Sequence, residues 1–264
     1  MPKNTALSRK ENPMRMERQI EILSFLRNTN VVQIKELSDR LRVSRNTIRR
    51  DLKRLEEEGL VRITHGGAVG IQNAPMGIPL GIREDQYAEE KVRIGKKAAE
   101  LIQDGDAIIL DAGTTTERIV SFLKDKKNLT VITNGLNIAL CLLGIPGVTA
   151  LLVGGVMNEI TRCTAGFYAE EFLRQFHVST AFISAGGVTV DGVMNTNAFE
   201  VRIKRSMIQA ADRVVLVVTR DKIGKTSLAP FAKLEEFDVI LTDSKAPEEE
   251  LEKLRGKGVE IVLC

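Results

Sequence analysis

The fold of the N-terminal part of the chain is decided by residues 37–69, whose sequence is LSDRLRVSRNTIRRDLKRLEEEGLVRITHGGAV. Ser44 is placed to accept a backbone N–H as the N-cap of a helix, and Gly59 is an expected C-cap. Between them, apolar residues recur at the four- and three-residue steps of one helix face, at Ile48, Leu52 and Leu55. The pattern predicts an amphipathic helix that begins after Ser44 and ends at Gly59.

Two shorter helices are predicted before this helix and a β-hairpin after it. Apolar residues at helical spacing occur in residues 14–27 and again in residues 34–41, and Arg42-Val43 is an expected tight turn. After Gly59, two short apolar runs flank Thr64-His65-Gly66-Gly67, which is the pattern of a hairpin. Three helices followed by a hairpin make a winged helix-turn-helix domain, which we assign to residues 14–72.

The rest of the chain alternates between apolar runs and helical patterns. The runs are mostly continuous, which is typical of parallel strands covered on both faces. We therefore expect a doubly wound α/β domain over residues 89–264, a flexible arm at residues 1–13 and a linker at residues 73–88. The predicted strands are 107–111, 129–133, 148–153, 180–185, 213–219, 238–242 and 259–263. The predicted helices are 89–102, 115–123, 165–176, 198–211 and 248–253.

Charge is distributed unevenly along the chain. Residues 1–70 hold 15 basic and 9 acidic side chains, whereas residues 71–264 hold 23 basic and 26 acidic ones. A basic head favours a polyanionic ligand. The cysteines, Cys141, Cys163 and Cys264, fit no disulfide or zinc spacing, and no apolar run approaches the roughly 18 residues that span a bilayer. We expect a cytoplasmic protein with no membrane span, metal site or cofactor.

The helix after Ser44 concentrates cations on its outer face. An α-helix fits the major groove of DNA, where its first residues meet base edges and flanking cations meet phosphates. The candidate DNA-binding residues are Arg42, Ser44, Arg45, Asn46, Thr47, Arg49, Arg50, Lys53 and Arg54, with Arg62 and His65 on the hairpin. The alternatives are an ordinary solvated helix face and, for His65, an ordinary turn residue.

A candidate anion site follows the first predicted strand of the second domain, in the sequence Asp111-Ala112-Gly113-Thr114-Thr115-Thr116. Glycine allows close backbone approach, and the first N–H groups of the following helix lack intrahelical acceptors, so a phosphate could be held there. The loop is neither a Walker A motif nor G-x-G-x-x-G, which argues against nucleotide hydrolysis and dinucleotide binding. The alternative is an ordinary strand-to-helix turn capped by threonine.

Other polar or glycine-rich breaks follow later strands, including Asn134 and the pair Gly154-Gly155. Ligands of open α/β sheets bind at the carboxyl ends of the strands, so these breaks should converge on one crevice that takes a small anionic metabolite. Glu200 and Lys204 lie four residues apart on a predicted helix. They either form a surface ion pair or face the crevice as an acid and a base.

The sequence resembles a known family. The run TIRRDL at residues 47–52 followed by HGGA at residues 65–68 resembles the DNA-binding signature of DeoR-type bacterial transcriptional regulators. Further runs resemble the effector domain of that family in the same order: AIILDAGTTT (107–116), LTVITNGLNIA (129–139), LLVGG (151–155), TNAFEVRIKRSMIQAA (196–211) and VILTD (239–243).

The resemblance implies a winged helix joined to a domain similar to the ribose-phosphate isomerase and coenzyme A transferase folds, which senses a phosphorylated sugar. It maps the phosphate loop to Asp111, Gly113, Thr114, Thr115 and Thr116. It places Asn134, Gly154, Gly155, Glu200, Lys204 and Lys222 around the sugar. One departure is Thr219-Arg220-Asp221-Lys222, where the family commonly has an Asp-Ser-Ser-Lys-like run.

The expected function is that of a sequence-specific transcriptional regulator, a repressor of carbohydrate-metabolism genes that a phosphorylated sugar controls. Because DNA half-sites are recognised in pairs, we expect a homodimer or homotetramer on double-stranded operator DNA. One alternative is an activator with the same sensor. Another is a sugar-phosphate isomerase-like enzyme, but only Glu200, Asp111 and Asp221 are candidate bases and no Cys-His or metal constellation accompanies them. We therefore expect no catalytic residues.

Overall fold

The computed structural model describes residues 18–19, 21–23, 25–26, 31–57, 60–70, 80–84 and 86–264. Its internal contacts divide the chain into two units, Met1–Gln86 and Tyr87–Cys264. The expected arm at residues 1–13 and the expected C-cap Gly59 lie outside the described residues, as do residues 73–79 of the expected linker. Residues 80–84 of that linker form a short helix.

The N-terminal unit contains the predicted winged helix. The described residues between 18 and 26 are helical. The elements that follow are β1 (Val31–Gln33), α1 (Ile34–Arg40), α2 (Arg45–Glu57), β2 (Val61–Thr64), β3 (Gly67–Gly70) and α3 (Leu80–Glu84). The apolar stripes of α1 and α2 are buried as the spacing predicts, with Leu37, Ile48, Leu52 and Leu55 at 2% exposure or less.

The hairpin is part of a three-stranded antiparallel sheet. Its order is β1-β3-β2, and Val32 of β1 lies opposite Ala68 of β3. Two glycines shape it: Gly66 has φ +101°, and a Cβ on Gly67 would lie 2.0 Å from the carbonyl oxygen of Val32. Gly66 thus allows the turn, and Gly67 allows β1 to approach. Strand β1 was not predicted, because three residues are too few to show a period.

The C-terminal unit alternates strands and helices. Its elements are, in chain order, α4 (Ala88–Ala99), β4 (Ala107–Leu110), α5 (Thr114–Val120), β5 (Leu129–Thr133), α6 (Leu136–Leu142), β6 (Val148–Leu152), β7 (Val156–Asn158), β8 (Cys163–Ala165), α7 (Phe167–Leu173), β9 (Val178–Ile183), β10 (Gly187–Thr189), β11 (Gly192–Asn195), α8 (Val201–Gln209), β12 (Ala211–Val217), β13 (Ala229–Ala232), β14 (Val239–Thr242), α9 (Glu248–Arg255) and β15 (Glu260–Leu263).

Seven of these strands form one parallel sheet in the order β15-β14-β12-β9-β4-β5-β6. They are the seven predicted strands, with ends shifted by at most two residues. Successive residues of β4 enter two apolar cores: Ile109 belongs to the core on one face, and Ile108 and Leu110 belong to the other. Burial on both faces explains why the strand sequences are continuously apolar.

Some elements of this unit were not predicted or have different bounds. The small antiparallel sheets β7-β8 and β10-β11-β13 consist of strands of three or four residues. Helix α6 directly follows the polar break at Asn134-Gly135 and is not among the predicted helices. The helix predicted at 198–211 is a 3₁₀ turn, Ala198–Glu200, followed by α8, and Ala211 already belongs to β12. Within the described part of the chain, no helix is long and apolar enough to cross a membrane.

Candidate functional site

Helix α2 begins with the predicted cap. The backbone N–H of Thr47 donates to Oγ of Ser44 at 3.2 Å, and the hydroxyls of Ser44 and Thr47 are 2.9 Å apart. Arg42 in the preceding turn has φ +51°. The cap satisfies one of the donors at the start of the helix, and it fixes where the helix begins.

The outer face of α2 and of the turn before it carries the predicted cations. Arg42, Arg45, Arg49, Arg50 and Lys53 are exposed, as are Ser44 and Asn46, whereas Thr47 and Arg54 are half-buried. Nη1 of Arg49 donates to Oδ1 of Asn46 at 3.1 Å. This contact joins two of the candidate DNA-binding residues in a row along the helix surface.

The acidic residue within this basic stretch points inward. Asp51 is 1% exposed, and its Oδ2 accepts a hydrogen bond from Nε of Arg18 at 2.5 Å. The carboxylate is therefore turned away from the exposed cations of α2 and paired within the unit. The next acidic residues, Glu56 and Glu57, lie in the last turn. The first three turns consequently present positive charge to solvent, which is the surface that a polyanion needs.

The hairpin adds an exposed basic strand beside α2. Arg62 and His65 are exposed on β2 and on the turn. Oε1 of Glu56 accepts the backbone N–H of Ile63 at 2.7 Å, which holds the hairpin against the end of α2. The structure thus brings Arg62 onto the same unit as the helix cations, in the arrangement expected of a wing.

The candidate anion loop is closely packed between β4 and α5. Thr114, Thr115 and Thr116 are all buried. The hydroxyl of Thr116 donates to the carbonyl oxygen of Asp111 at 2.6 Å, whereas the structure records no hydrogen bond of the Thr114 or Thr115 hydroxyl to the described residues. A Cβ on Gly113 would lie 2.9 Å from Oγ of Ser184, so a larger residue would displace that serine.

Asp111 is the centre of a buried polar cluster. Its Oδ2 accepts hydrogen bonds from Nζ of Lys204 at 2.5 Å, from Oγ of Ser184 at 2.6 Å and from N of Ser184 at 2.9 Å. Nζ of Lys204 also donates to the carbonyl oxygen of Ser184 at 2.9 Å. Sequence reasoning missed Ser184, although its position directly after β9, at the carboxyl edge of the sheet, was a signal that could have identified it.

Asn134 connects the loop to the β7-β8 ribbon. Its Oδ1 accepts the backbone N–H of Ala112 at 2.8 Å, and its Nδ2 donates to the carbonyl oxygen of Thr164 at 3.0 Å. Asn134 is 1% exposed. Both ends of its amide are therefore hydrogen-bonded within the protein, so the side chain holds the loop in position against the β7-β8 ribbon.

Glu200 and Lys204 do not pair with each other, which corrects the surface ion pair considered from their spacing. Both are buried. Oε1 of Glu200 accepts from Sγ of Cys163 at 3.3 Å, and Oε2 accepts from Nδ2 of Asn195 at 2.9 Å. Burial, reinforced by the Glu200 carboxylate, raises the pKa of the Cys163 thiol, so the sulfur keeps its proton and donates it.

The run Thr219-Arg220-Asp221-Lys222 uses its two cations differently. Nζ of Lys222 pairs with Oδ2 of Asp221 at 2.6 Å. Nη1 of Arg220 contacts Oδ1 of Asp243 at 2.7 Å and Oε1 of Glu90 at 2.9 Å. The hydrogen bond from Arg220 lowers the pKa of Glu90 from its ordinary value of 4.5. Arg220 thus joins α4 to the end of β14, which gives this departure from the family pattern a structural role.

The structure brings together most of the predicted effector residues. The anion loop, Lys204 and Asn134 are joined by direct contacts, and Glu200 is joined to β8 through Cys163. Gly154 and Gly155 lie exposed between β6 and β7. Among the described residues, those two glycines and Lys222 make no recorded hydrogen bond or ion pair with the cluster around Asp111. Among the described residues, no group of three or more His, Cys, Asp or Glu side chains is arranged to hold a metal ion.

Family models match both units. The DeoR-like helix-turn-helix domain matches residues 18–74, and the DeoR C-terminal sensor domain matches residues 86–244. Ribose 5-phosphate isomerase A from Methanocaldococcus jannaschii aligns with a TM-score of 0.36 and 15% identity over 52% of this chain and 55% of that one. A likeness that weak carries no argument about function.

Two relatives extend the match over almost the whole chain. Transcriptional repressor AccR of Agrobacterium fabrum is 38% identical over 92% of this chain and 96% of its own. The HTH-type transcriptional repressor GlcR of Bacillus subtilis is 35% identical over 94% of this chain and 95% of its own. These relatives are regulators, which leaves the isomerase-like alternative without support. The chain therefore belongs to the DeoR family of DNA-binding transcriptional regulators.

Proposed function

We propose that this regulator is a repressor of carbohydrate-metabolism genes and that a phosphorylated sugar controls its binding to operator DNA. The observation that carries the proposal is that the two units present two different anion-binding features. One unit presents an exposed cationic helix face, and the other holds the candidate anion loop next to the buried Lys204. AccR and GlcR are repressors by name, which favours repression over the activator alternative.

In the DNA-bound state, α2 lies in the major groove. Ser44, Arg45, Asn46 and Thr47 are at its N-terminal end, so we assign them to base edges, and Arg49 and Arg50 to bases or phosphates. Arg42, Lys53 and Arg54 contact flanking phosphates. Arg62 and His65, on the hairpin, follow the backbone or enter the minor groove beside it. Cations supply the affinity that does not depend on sequence, and base contacts supply the specificity.

In the sensor unit, the phosphate of the effector binds at Gly113, Thr114, Thr115 and Thr116. The carboxylate of Asp111 lies next to this loop and would repel an anion, but Lys204 neutralises it from the buried side. The hydroxyls of Thr114 and Thr115 remain as donors for phosphate oxygens. This arrangement supports the assignment of Asp111 and Lys204 as residues that prepare the loop for an anion.

The sugar itself lies towards Glu200. Among the described residues, the recorded partners of that carboxylate are a thiol and an amide, both neutral. A buried carboxylate without a cation is a strong acceptor for sugar hydroxyls, because each hydroxyl would supply a hydrogen bond that the site lacks. Asn134 holds the loop in position, and Gly154, Gly155 and Lys222 complete the proposed rim of the pocket.

Effector binding acts on DNA through the assembly. The protein works in the cytoplasm as a homodimer or homotetramer, with two winged helices on the two half-sites of an operator. A sugar phosphate that binds one arrangement of subunits better than another shifts the population towards it. The affinity for the operator changes by the same coupling free energy.

The test combines two measurements on the full chain. Binding to labelled genomic fragments is followed by fluorescence anisotropy at several salt concentrations, and thermal unfolding is followed across a panel of sugar phosphates. We expect salt-dependent DNA binding and stabilisation by at least one sugar phosphate, which then changes the DNA affinity. A ligand at 100 times its dissociation constant adds about 2.7 kcal/mol to the folded state. DNA binding that no sugar phosphate alters would contradict the proposed control.

A further inference from the structure

One stretch of the sensor unit has no charge. Residues 128–158 contain no Asp, Glu, Lys, Arg or His, although 28% of the chain is charged. The stretch holds β5, α6, β6 and β7. Surface segments of soluble domains normally carry both signs of charge. Part of the stretch is buried within the unit, including most of β5 and Ile138 and Leu142 of α6. Its exposed residues also have no charge, which indicates a surface that another surface covers.

The uncharged stretch lies at one edge of the large sheet. Strand β6 is the last strand on its side, with no further strand beside it among the described residues. Its residues Thr149, Ala150 and Leu152 are exposed, unlike those of the inner strands. The opposite edge strand, β15, carries Glu260 and follows Lys257. Charges of this kind protect sheet edges from pairing, and β6 has none.

Exposed apolar side chains surround this edge. Leu140 and Leu143 at the end of α6 are 68% and 72% exposed, and Phe167 and Tyr168 at the start of α7 are 68% and 77% exposed. Helix α6 packs on the core that contains Val131, and α7 packs on the core that contains Ile132, so the two helices cover opposite faces of the sheet. More than half of the large apolar side chains that the described residues expose lie between Leu140 and Tyr168.

The β7-β8 ribbon joins the two groups. Val156 and Met157 of β7 are consecutive and both exposed, so both faces of the strand meet solvent. Val156 approaches the start of α7, because a Cβ on Gly166 would lie 3.8 Å from its Cγ2. A two-stranded ribbon is marginally stable alone in water. A ribbon with apolar side chains on both faces is a surface that association would stabilise.

We propose that a second copy of this chain covers the uncharged edge, defined as residues 128–158 with Phe167 and Tyr168. The surface has no charge that a charged partner could complement, and identical uncharged patches related by a two-fold axis are self-complementary. With about 150–250 Å² for each aromatic side chain, the exposed group approaches the roughly 800 Å² per partner of a stable interface. The proposal rests on the proposed function only in taking the regulator to act as an oligomer.

The position of the uncharged edge also explains how a bound effector would affect the contact between two copies. The carbonyl of Thr164 in the ribbon accepts a hydrogen bond from Asn134, and Asn134 accepts one from Ala112 in the anion loop. The ribbon is thus two hydrogen bonds away from the loop. A ligand that moves the loop therefore acts on β8 and, through the pairing of β8 with β7, on the strand that the second copy contacts.

The test is sedimentation velocity on the full chain over a wide range of concentration. The variants are Leu140→Lys and Met157→Lys, and the matched control is Leu228→Lys, an exposed leucine (56%) outside the edge. We expect the wild type and the control to form the same assembly. Each edge variant should raise the dissociation constant at least about a hundredfold, because two lysines enter each interface and repel each other.

Circular dichroism and thermal shift with sugar phosphates are measured on the same samples. Edge variants that keep the fold and the ligand response but form a smaller species support the proposal. A wild type that stays a single copy at all concentrations overturns it, and so do edge variants that assemble like the wild type. Edge variants that assemble like the wild type leave the proposed function standing. A wild type that stays a single copy contradicts only its oligomeric part, because salt-dependent DNA binding and the response to sugar phosphates are measured separately.

Discussion

The ammonium group of Lys204 donates to the carboxylate of Asp111 across 93 residues of sequence, and both side chains are almost completely buried. Ser184 completes the cluster by donating to the same oxygen of Asp111. A buried ion pair costs much of its attraction in desolvation, but the loss of one partner leaves an unpaired charge inside the protein. The cluster therefore makes the anion loop dependent on α8.

Lys204→Met should lower the free energy of unfolding by about 3–5 kcal/mol, the usual cost of breaking a buried pair. Urea denaturation followed by circular dichroism measures the change. Lys222→Met is the matched control, because its pair with Asp221 is partly exposed and its loss should cost about 1 kcal/mol or less. The double variant Lys204→Met with Asp111→Asn should regain much of the stability. A double variant no more stable than Lys204→Met would show that the charge is not the cause.

Arg49→Ala and Arg50→Ala should each weaken DNA binding and reduce its dependence on salt. Every phosphate contact that is lost removes about one unit from the slope of log K against log salt. Anisotropy titrations on one operator fragment at several salt concentrations give both quantities. Lys97→Ala serves as the control and should leave the slope unchanged, because Lys97 lies on α4 in the sensor unit and its side chain is 43% exposed. Unchanged slopes in both arginine variants would remove α2 from the DNA interface.

Thr115→Val should weaken the response to the effector while preserving the fold. The Thr115 hydroxyl has no recorded partner among the described residues, so its removal should change stability by less than about 1 kcal/mol. A phosphate bound there would lose a hydrogen bond to a charged group, which weakens binding about ten- to hundredfold. Thermal shift with the sugar phosphate that stabilises the wild type measures the loss. Thr130→Val, at the amino end of β5, is the control, and equal affinity in both variants would place the phosphate elsewhere.

The Glu90–Arg220 pair should make the free energy of unfolding decrease at acidic pH. Arg220 holds the pKa of Glu90 below 4.5, so the pair stabilises the fold above the unfolded pKa, and this contribution is lost as pH falls through the lowered folded value. Glu90→Gln should cost about 1.5–3 kcal/mol at neutral pH, the worth of a charged hydrogen bond. The difference from the wild type should shrink below about pH 4. Urea unfolding at several pH values tests this, and a difference independent of pH would contradict it.

Local periodicity was enough to predict the elements that carry the fold. The stripe Ile48, Leu52 and Leu55 and the seven apolar runs each contain their signal within a few residues. Strands such as β1 and β7, with three residues, offer no period to detect, and their pairing depends on distant partners. The break at Asn134-Gly135 correctly marked the end of β5, but it did not indicate that α6 begins directly after it.

The candidate site was predictable in its location and not in its contacts. The glycines, threonines and Asn134 were found because they follow strands, and the carboxyl ends of parallel strands share one edge. The four-residue spacing of Glu200 and Lys204 left open whether they pair or face the crevice. In the structure Glu200 contacts Cys163, 37 residues away, and Lys204 contacts Asp111, 93 residues away. Spacing along one helix describes that helix alone. Which side chains meet across a sheet depends on strand order, which the local sequence does not contain.

The inward orientation of Asp51 shows that packing positions and surface positions lie on different sides of α2. The positions that hold the helix in the protein, among them Ile48, Asp51 and Leu52, are buried. The positions that we propose contact DNA, among them Asn46, Arg49 and Arg50, are exposed. Changes on the exposed side leave the packing intact. A duplicated copy of the gene could therefore acquire a new set of target sites by surface substitutions alone and keep its inherited core and sensor.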